Sequence, residues 1–352
     1  MHPYPPSSSQ SSDCEDHLSS AHKRVLHRLA LGFRAGLPLR SLLDSANSLH
    51  GSCPFLLPSA QDYLLSLTLD FTPSQCPPLF SLGSHRNASL LRLMFDELDH
   101  TPSPSFSDRF LDNATAFCTS QHKRIPISTH VVFQLPSKKQ SSPRQATLNV
   151  STRLSDTGRR VWAASLVLYA HAVFPGAFAS SIYQASVLEL GAGTGLSAAA
   201  FEEADVRSAC LTDCDPAALH TMKQNSSTVV SYPAHWLSFA KLDIGEKHCV
   251  REVTDKNKVD VVVAADVVYD PDFIPAVVDA FENALKASTR EGYLFATSRT
   301  ETSDQLLNEA LGQSDMQVAV LQDNVNLDCF GYLCDWHLDR VRVFRLRTKG
   351  SA

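Results

Sequence analysis

Short apolar runs with an acidic residue at or near their carboxyl end recur through the second half of the chain. The runs are Val187–Leu190, Ala209–Asp213, Trp236–Asp243 and Val259–Asp266. A nearly continuous apolar run of this length is typical of a strand buried on both faces of a parallel sheet. Because parallel strands present their carboxyl ends at one edge, the acids should meet there and outline a single ligand crevice.

Three glycines at alternate positions follow the first of these strands. They are Gly191, Gly193 and Gly195, and Ala192 lies between the first two. Glycine lets the backbone turn sharply and pass close to a ligand, because a Cβ would block both. The Ala- and Leu-rich segment 196–204 is predicted to be the helix that leaves this loop, with its N-terminal dipole directed at the ligand.

The spacing of the glycines distinguishes two classes of cofactor. The dinucleotide fingerprint G-x-G-x-x-G requires a third glycine at position 196, where the chain has Leu196. Glu189 stands just before the loop, and a carboxylate suits a cofactor with a cationic sulfonium and an amino group. S-adenosyl-L-methionine therefore fits this loop, whereas a nicotinamide dinucleotide fits it poorly.

The other strand ends supply candidate contacts to the adenosyl part of such a cofactor. Asp213 lies about twenty residues beyond the loop, where nucleotide-binding folds hydrogen-bond ribose hydroxyls, and Asp215 is the alternative. Asp243 is expected at the adenine edge, with Ile244 beside it. Ala265 is small enough to let the backbone approach the adenosyl group.

The periodicity further along the chain completes the predicted sheet. Phe273–Ala287 has the pattern of a helix, and Tyr293–Thr297, Gln317–Leu321 and Val341–Leu346 have that of strands. The last two strands follow each other across a polar loop, which favours an antiparallel edge hairpin. We therefore predict an α/β fold with a Rossmann-like seven-stranded sheet, mostly parallel and covered by helices on both faces.

The first third of the chain has a different pattern. Residues 1–20 are rich in Ser, Pro and His and predict a disordered tail. Residues 21–120 predict a small helical region, which either packs on the main domain or recognises a substrate. Apolar residues recur at helical spacing from His22 to about Leu49, with Gly and Pro breaking the run near 36–38, and Tyr63–Leu69 and Ser89–Leu98 are two further predicted short helices. The main domain, 121–352, begins with a β-hairpin formed by Val131–Leu135 and Ala146–Val150.

Composition narrows the choice of partners and compartment. A formal net charge of −6 and the lack of a long basic tract argue against direct nucleic-acid binding. The nine cysteines are odd in number and contain no C-x-x-C pair, which favours reduced thiols and no metal. Cys210 and Cys214 are expected as small core residues. With no apolar segment long enough to span a bilayer and no signal-peptide pattern, we expect a cytoplasmic monomer without a membrane partner.

The motifs taken in order resemble a known family. Trp162, Glu189–Gly195, Asp213, Leu242–Asp243 and Ala265–Tyr269 are similar to the seven-strand protein-lysine methyltransferases that carry a D-x-x-Y motif. Members of that family act on chaperones, calmodulin, translation elongation factors and similar proteins. The resemblance spans roughly residues 145–348 and implies an S-adenosylmethionine-dependent enzyme with a protein substrate.

Three segments are most similar to the elongation factor 2 lysine methyltransferases. They are Arg160–Tyr169, Phe174–Phe178 and Ala296–Thr302, the last expected on the fifth strand. Elongation factor 2 is therefore the leading substrate that the resemblance implies. Many relatives have a tryptophan after the acid of the third strand, whereas this chain has Ile244, which supplies an apolar wall without stacking. Methylation of another protein or a small molecule, or a catalytically silent module that binds S-adenosylmethionine, stay open as alternatives.

The D-x-x-Y residues are the predicted catalytic pair. A carboxylate raises the pKa of a neighbouring lysine, so Asp266 is better suited to capture and orient the ε-amine than to act as a strong base. Tyr269, three residues on, can line the substrate channel and contact the cation. Trp162 is expected on an amphipathic helix with Leu166, Tyr169 and Val173, where its ring either packs in the core or borders the cofactor. The family resemblance favours the cofactor contact.

Overall fold

The computed structural model describes residues 18–34, 128–151, 156–230, 235–287, 290–322, 325–330 and 337–349, together with positions 43, 60, 61, 64 and 94. The chain divides into two compact units, Met1–Phe133 and Gln134–Ala352. The division falls within the strand Ser128–Leu135, which we call β1. The boundary drawn from the sequence at residue 121, and the disordered tail, stay predictions because they fall mainly outside the described residues.

The first unit contains helix α1, Ser20–Arg34. It begins close to the predicted start at His22, and its buried side chains include Leu26 and Leu29. Of the two further helices predicted for this region, only Leu64 and Met94 lie within the described residues, and both are helical and buried. Among the helices that the structure describes, none has the length and apolar character needed to cross a membrane.

The second unit is built around a seven-stranded sheet. In chain order its strands are β3 (Ser186–Leu190), β4 (Ser208–Asp213), β5 (Leu237–Lys241), β6 (Val261–Ala265), β7 (Glu291–Thr297), β8 (Met316–Val320) and β9 (Val341–Thr348). The spatial order is β5-β4-β3-β6-β7-β9-β8. The pairs from β5 to β7 are parallel, whereas β9 runs antiparallel to both β7 and β8. The predicted Rossmann-like sheet with an antiparallel edge hairpin is confirmed.

The strand order fixes where a ligand can bind. The chain runs outward from β3 to β5 and then returns to the other side of β3 at β6. The chain therefore leaves the carboxyl ends of β3 and β6 in opposite directions along the sheet. The crevice between these two strand ends is the switch point, where open α/β sheets bind ligands. The glycine loop, 191–195, leaves β3 at this point.

Helices cover both faces of the sheet. They are α2 (Ala163–Val173), α3 (Ala177–Ile182), α4 (Ser197–Glu203), α5 (Pro216–Val229), α6 (Lys247–Asn257), α7 (Ile274–Ala287) and α8 (Glu301–Gln313). On one face of the sheet, strand residues such as Leu188 of β3 and Leu294 of β7 belong to a buried hydrophobic cluster with residues of α6, α7 and α8. On the opposite face of β7, Tyr293 and Phe295 make edge-to-face contacts with Phe178 of α3 at centroid distances of 4.9 and 5.1 Å.

A hairpin precedes the sheet, as the sequence predicted. β1 and β2 (Arg144–Ser151) form a separate two-stranded sheet. The turn between them is tied to α4 by Glu203, whose carboxylate accepts hydrogen bonds from the Ser137 hydroxyl at 3.0 Å and from the Lys138 N–H at 2.9 Å. Arg144 lies 3.5 Å from the same carboxylate. Because α4 leaves the glycine loop, this contact connects the hairpin to the predicted ligand site.

Candidate active site

A cavity of about 260 Å³ lies at the carboxyl ends of β3, β4, β5 and β6. Every predicted site residue except Gly195 lines it: Trp162, Glu189, Gly191, Ala192, Gly193, Asp213, Asp243, Ile244, Ala265, Asp266 and Tyr269. The structure thus brings the four strand ends together, as the sequence predicted for a parallel sheet.

The first two glycines of the loop are required by space as well as by backbone conformation. Gly191 and Gly193 have φ values of +68° and +55°, in the left-handed region that other residues rarely adopt. A Cβ on Gly191 would lie 2.7 Å from Cγ1 of Val267. A Cβ on Gly193 would lie 3.0 Å from the backbone oxygen of Gly158, which cannot move aside as a flexible side chain can.

Gly195, also predicted to contact the cofactor, is not among the residues that line the cavity. Its φ is +76°, and a Cβ there would lie 2.8 Å from Cγ of Met222 and 3.3 Å from Oγ of Ser226. Both neighbours belong to α5. This glycine therefore allows the loop to pack closely on α5, because the side chains of that helix occupy the space a Cβ would need.

Side chains from outside the loop hold its backbone in place. Oδ2 of Asp213 accepts a hydrogen bond from the Gly193 N–H at 3.1 Å, and the side-chain amide of Asn225 donates to the Thr194 carbonyl at 2.9 Å. Asp215, the alternative ribose ligand, instead caps α5 by accepting from the Ala217 N–H at 2.9 Å. Both aspartates line the cavity, and Asp213 is the one whose carboxylate accepts a hydrogen bond from the glycine loop.

Glu189 is the most buried carboxylate of the cavity, with 2% of its surface exposed. The Ser197 hydroxyl donates a short hydrogen bond to it. Burial raises the pKa of Glu189 to about 8, and the nearby charge of Asp213 adds to the effect while the Ser197 bond opposes it. A cation bound beside this carboxylate would favour its ionised form. Burial likewise raises the pKa of Asp213.

The far side of the cavity has an apolar wall next to an exposed acid. Leu242 and Ile244 are buried there, while Asp243 is exposed and accepts a hydrogen bond from the Gly245 N–H at 2.9 Å. Phe273 also lines this wall, and its Cε2 would lie 3.9 Å from a Cβ placed on Gly245. The sequence missed Phe273 because it was assigned to the start of a helix, whereas it lies in the 3-10 turn 271–273 that precedes α7.

Three residues contact Asp266: two belong to β7 and one to the loop that follows this strand. Its N–H donates to the Phe295 carbonyl at 2.9 Å, and its Oδ1 accepts from the Thr297 N–H at 3.3 Å. The third contact is an ion pair between its Oδ2 and the guanidinium of Arg299, at 3.0 Å. The Asp266 backbone is left-handed, with φ +60°, and the residue is 5% exposed. Arg299 is absent from the predicted site residues, although it belongs to the segment 296–302 singled out by the family resemblance.

Two aromatic residues lie at the mouth of the cavity. Tyr269 is 53% exposed and Trp162 is 38% exposed. The predicted amphipathic helix for Trp162 is wrong, because this residue is the extended N-cap of α2 and the helix behind it is buried on nearly all sides. The Trp162 ring N–H donates to the Thr157 carbonyl at 2.9 Å, and the guanidinium carbons of Arg160 and Arg299 lie 5.7 and 5.9 Å from the ring centroid.

Two further positions differ from what the sequence indicated. Cys210 is buried within β4, as expected, but Cys214 is exposed and lines the cavity because it follows the last residue of that strand. Gly158, in the turn 157–159, lies against the glycine loop and was not predicted, since no periodicity marks this turn. In the part of the chain that the structure describes, no cluster of three or more His, Cys, Asp or Glu could hold a metal ion.

Known proteins provide an independent comparison. A family model described as "Lysine methyltransferase" matches residues 143–312. That range contains the hairpin strand β2, the glycine loop, the D-x-x-Y residues and Arg299. No curated protein sequence matches the chain significantly.

Solved structures with a similar architecture include fibrillarin from Methanococcus jannaschii, with 12% identity, a TM-score of 0.38 and 65% of this chain and 97% of that chain covered. Ribosomal protein L11 methylase from Lactobacillus delbrueckii has 14% identity and a TM-score of 0.34, covering 53% and 77%. A spermidine synthase in complex with the transition-state analogue AdoDATO has 15% identity and a TM-score of 0.33, covering 65% and 72%. Because these TM-scores are low, the fold assignment rests on the strand order of this chain.

The strand order, the glycine loop and the family match together define the class of protein. The chain is a methyltransferase dependent on S-adenosylmethionine. The matched family gives lysine as the methylated residue type in its own description.

Proposed function

We propose that this protein is a protein-lysine N-methyltransferase, that elongation factor 2 is its substrate, and that it acts as a monomer in the cytoplasm. The observation that carries the proposal is the position of Asp266. This buried carboxylate lines the same cavity as the glycine loop, and Tyr269 stands exposed beside it. A cofactor held by the loop and an amine held by Asp266 would therefore share one cavity.

The residues of the cavity fit S-adenosylmethionine. The positions at which a Cβ would clash, Gly191 and Gly193, leave the backbone open to close approach by a ligand. Glu189 offers a buried carboxylate to the positive charges of the cofactor, Asp213 offers an acceptor for hydroxyl groups, and Ile244 offers an apolar surface for adenine. When bound, S-adenosylmethionine supplies a methyl group attached to a positively charged sulfur.

The residues at the mouth fit a lysine side chain. An ammonium has no free electron pair, and removing its proton at pH 7 costs roughly 4–5 kcal/mol from a reference pKa near 10.4. Asp266 can accept a hydrogen bond from the amine and fix its direction, while the aromatic faces of Tyr269 and Trp162 can line the route of the chain. The chain's contribution is then mainly one of positioning, which is a large part of catalysis in a displacement reaction.

The assignment of elongation factor 2 is supported by where the three similar segments lie. Arg160–Tyr169 includes Trp162 at the mouth, and Ala296–Thr302 includes the two residues that hold the Asp266 carboxylate. Phe174–Phe178 lies behind the site, where Phe178 packs on β7. Two of the three segments thus reach the place where a substrate would be recognised.

The proposal is tested by incubating the recombinant protein and elongation factor 2 with methyl-labelled S-adenosylmethionine. We expect label on a single protein band, and mass spectrometry should locate it on a lysine of elongation factor 2. The Gly193→Arg variant serves as the inactive control. A parallel incubation uses a cell lysate in place of elongation factor 2. Labelling of a different lysate protein, with none on elongation factor 2, would refute the substrate assignment, and labelling of lysate metabolites alone would refute protein methylation altogether.

A further inference from the structure

Arg299 forms an ion pair with Asp266, the first residue of the D-x-x-Y motif. It lies in the segment between β7 and α8, and its guanidinium is 3.0 Å from Oδ2 of Asp266. The pair is asymmetric in exposure, because the side chain of Asp266 is buried whereas that of Arg299 is about one-third exposed. Arg299 therefore reaches inward from the surface to a buried carboxylate.

The contact continues a series of contacts that begins in β7. Phe295, Thr297 and Arg299 stand at alternate positions and hold the N–H, Oδ1 and Oδ2 of Asp266 in turn. The Arg299 guanidinium also lies 5.9 Å from the centroid of the Trp162 ring, which limits its freedom from a second side. These contacts fix both the carboxylate and the positive charge beside it.

The cavity otherwise carries an excess of acids. Besides Asp266, five acids line it: Asp156, Glu189, Asp213, Asp215 and Asp243. Asp156 is paired with Arg159 at 3.2 Å. The other titratable residues of the lining are Arg160, Cys214 and Tyr269. Negative neighbours stabilise an ammonium ion, so a lysine that entered this cavity would hold its proton more firmly. A methyl acceptor needs the opposite, a neutral amine.

We propose that Arg299 is a positioning residue that stays paired with Asp266 and keeps a positive charge beside the incoming lysine. Asp266 then accepts a hydrogen bond from the amine without retaining it as an ammonium ion. This inference rests on the proposed lysine methyltransferase function. A guanidinium suits the task because it stays charged at every pH at which the enzyme is folded. The proton that the lysine gives up passes to water at the exposed mouth.

The test compares the pH dependence of kcat/KM for elongation factor 2 in the full-length wild type, Arg299→Gln, Arg299→Lys and Arg340→Gln. Arg340 is a matched control, since it is an exposed arginine whose backbone oxygen accepts a hydrogen bond from the Ser298 N–H of the same loop. Rates are measured from pH 6.5 to 10, with calorimetry of S-adenosylmethionine binding for each variant.

We expect the inflection of the Arg299→Gln profile to move upward by about one pH unit, the lower end of the effect of a close charge. Its rate should fall about tenfold near pH 7 and recover towards the wild-type value near pH 10, with cofactor affinity preserved within about threefold. In Arg299→Lys the inflection should lie close to its wild-type pH, because the positive charge is kept. The profile of Arg340→Gln should match that of the wild type.

A loss that is equal at every pH, with the inflection unmoved, would show a merely structural role and overturn the proposal. If Arg299→Gln does not fold, the test relies on Arg299→Lys. A pH profile of kcat/KM like that of the wild type would support the requirement for a positive charge. A loss of kcat/KM that is equal at every pH would refute it. If the wild type methylates no protein, the proposed function is refuted as well. If the wild type is active and the Arg299→Gln inflection stays at the wild-type pH, this inference alone is refuted.

Discussion

At the scale of single residues, Asp266 combines several unusual properties. It has a left-handed backbone, which costs a residue other than glycine about 1–3 kcal/mol. It is buried, its Oδ1 accepts a hydrogen bond from the Thr297 N–H, and its Oδ2 forms an ion pair with Arg299. Such strain persists only where surrounding contacts fix the residue, and it is frequent at functional sites. These properties support Asp266 as the residue that orients a substrate.

Asp266→Asn is the first prediction at this scale. The substitution is nearly isosteric, so the fold and most of the cofactor affinity should remain. Turnover of elongation factor 2 should fall by about 100-fold or more, because misplacing a reacting group by a small distance can cost that much. Tyr269→Phe should have a milder effect, since the ring is retained. Steady-state kinetics and calorimetry provide the measurement, with the exposed Asp272→Asn as control. Full activity of Asp266→Asn would exclude the D-x-x-Y mechanism.

Gly193→Arg should abolish measurable S-adenosylmethionine binding while the protein stays folded. The left-handed φ and the Gly158 oxygen at 3.0 Å from the added Cβ both oppose a side chain at this position. Gly312→Ala is the matched control, because nothing lies within 4 Å of the added Cβ and the position is helical. It should preserve binding and stabilise the protein by roughly 0.5–1 kcal/mol. Near-normal affinity in a folded Gly193→Arg protein would remove the loop from the site.

The two neighbouring aspartates should respond differently to replacement by alanine. Asp213→Ala should weaken cofactor binding by about 1.5–3 kcal/mol, since it removes an acceptor and a bond to the loop. Asp215→Ala should mainly destabilise α5, by about 1 kcal/mol, because the Asp215 side chain is the N-cap of that helix. Calorimetry and denaturant unfolding separate the two effects. If Asp215→Ala is the variant that loses affinity, the ribose contact belongs to Asp215.

At the scale of secondary-structure elements, the hairpin is attached to the methyltransferase sheet through a buried polar contact. Glu203 is 2% exposed and accepts hydrogen bonds from the hairpin turn, while Arg144 faces it from the start of β2. A second contact runs through Asn225 of α5, whose side-chain amide donates to the Asn149 carbonyl of β2 as well as to Thr194 of the loop. The hairpin therefore supports the two helices that flank the glycine loop.

Glu203→Ala should lower the free energy of unfolding by about 1–3 kcal/mol, because it removes the buried acceptor to which the Ser137 hydroxyl and the Lys138 N–H donate. Chemical denaturation of the full chain measures the change. Glu309→Ala on the exposed face of α8 is the control and should stay within about 0.5 kcal/mol of the wild type. Equal stability of Glu203→Ala and the control would mean that the turn is not held by this carboxylate.

At the scale of the whole molecule, the buried acids link cofactor binding and stability to pH. The folded pKa of Glu189, about 8, lies above its ordinary value of 4.5. The stability that protonated Glu189 contributes to the folded state is therefore fully present below about pH 4.5, and it is lost as the pH rises through 8. A bound cation favours the ionised carboxylate, so binding should release a proton below pH 8 and offset part of that loss.

We accordingly expect S-adenosylmethionine to bind more tightly as the pH rises from 6 to 8, by up to about tenfold per unit. Calorimetry in two buffers of different ionisation enthalpy should detect the released proton. Glu189→Gln should flatten the dependence, and S-adenosylhomocysteine, which lacks the charge on sulfur, should show a weaker one. Proton uptake by the wild type, or a pH-independent affinity, would contradict this account.

The sequence by itself determined the elements and their order. Apolar runs that end in acids, glycines at alternate positions and helical periodicities are local patterns, and each is set by residues a few positions apart. They were sufficient to predict β3 to β9, the parallel sheet with its edge hairpin, and the meeting of Glu189, Asp213, Asp243 and Asp266 at one edge.

Only the tertiary structure decided which distant groups touch. The ion pair between Asp266 and Arg299, the Gly158 oxygen against Gly193, the packing of Gly195 on α5 and the extended position of Trp162 all join segments that are far apart in the chain or lie outside regular elements. Such contacts depend on strand order, register and the direction of each side chain, which no local periodicity encodes. For this reason the sequence predicted where the site lies, and the structure was needed to show that its central carboxylate has a cationic partner.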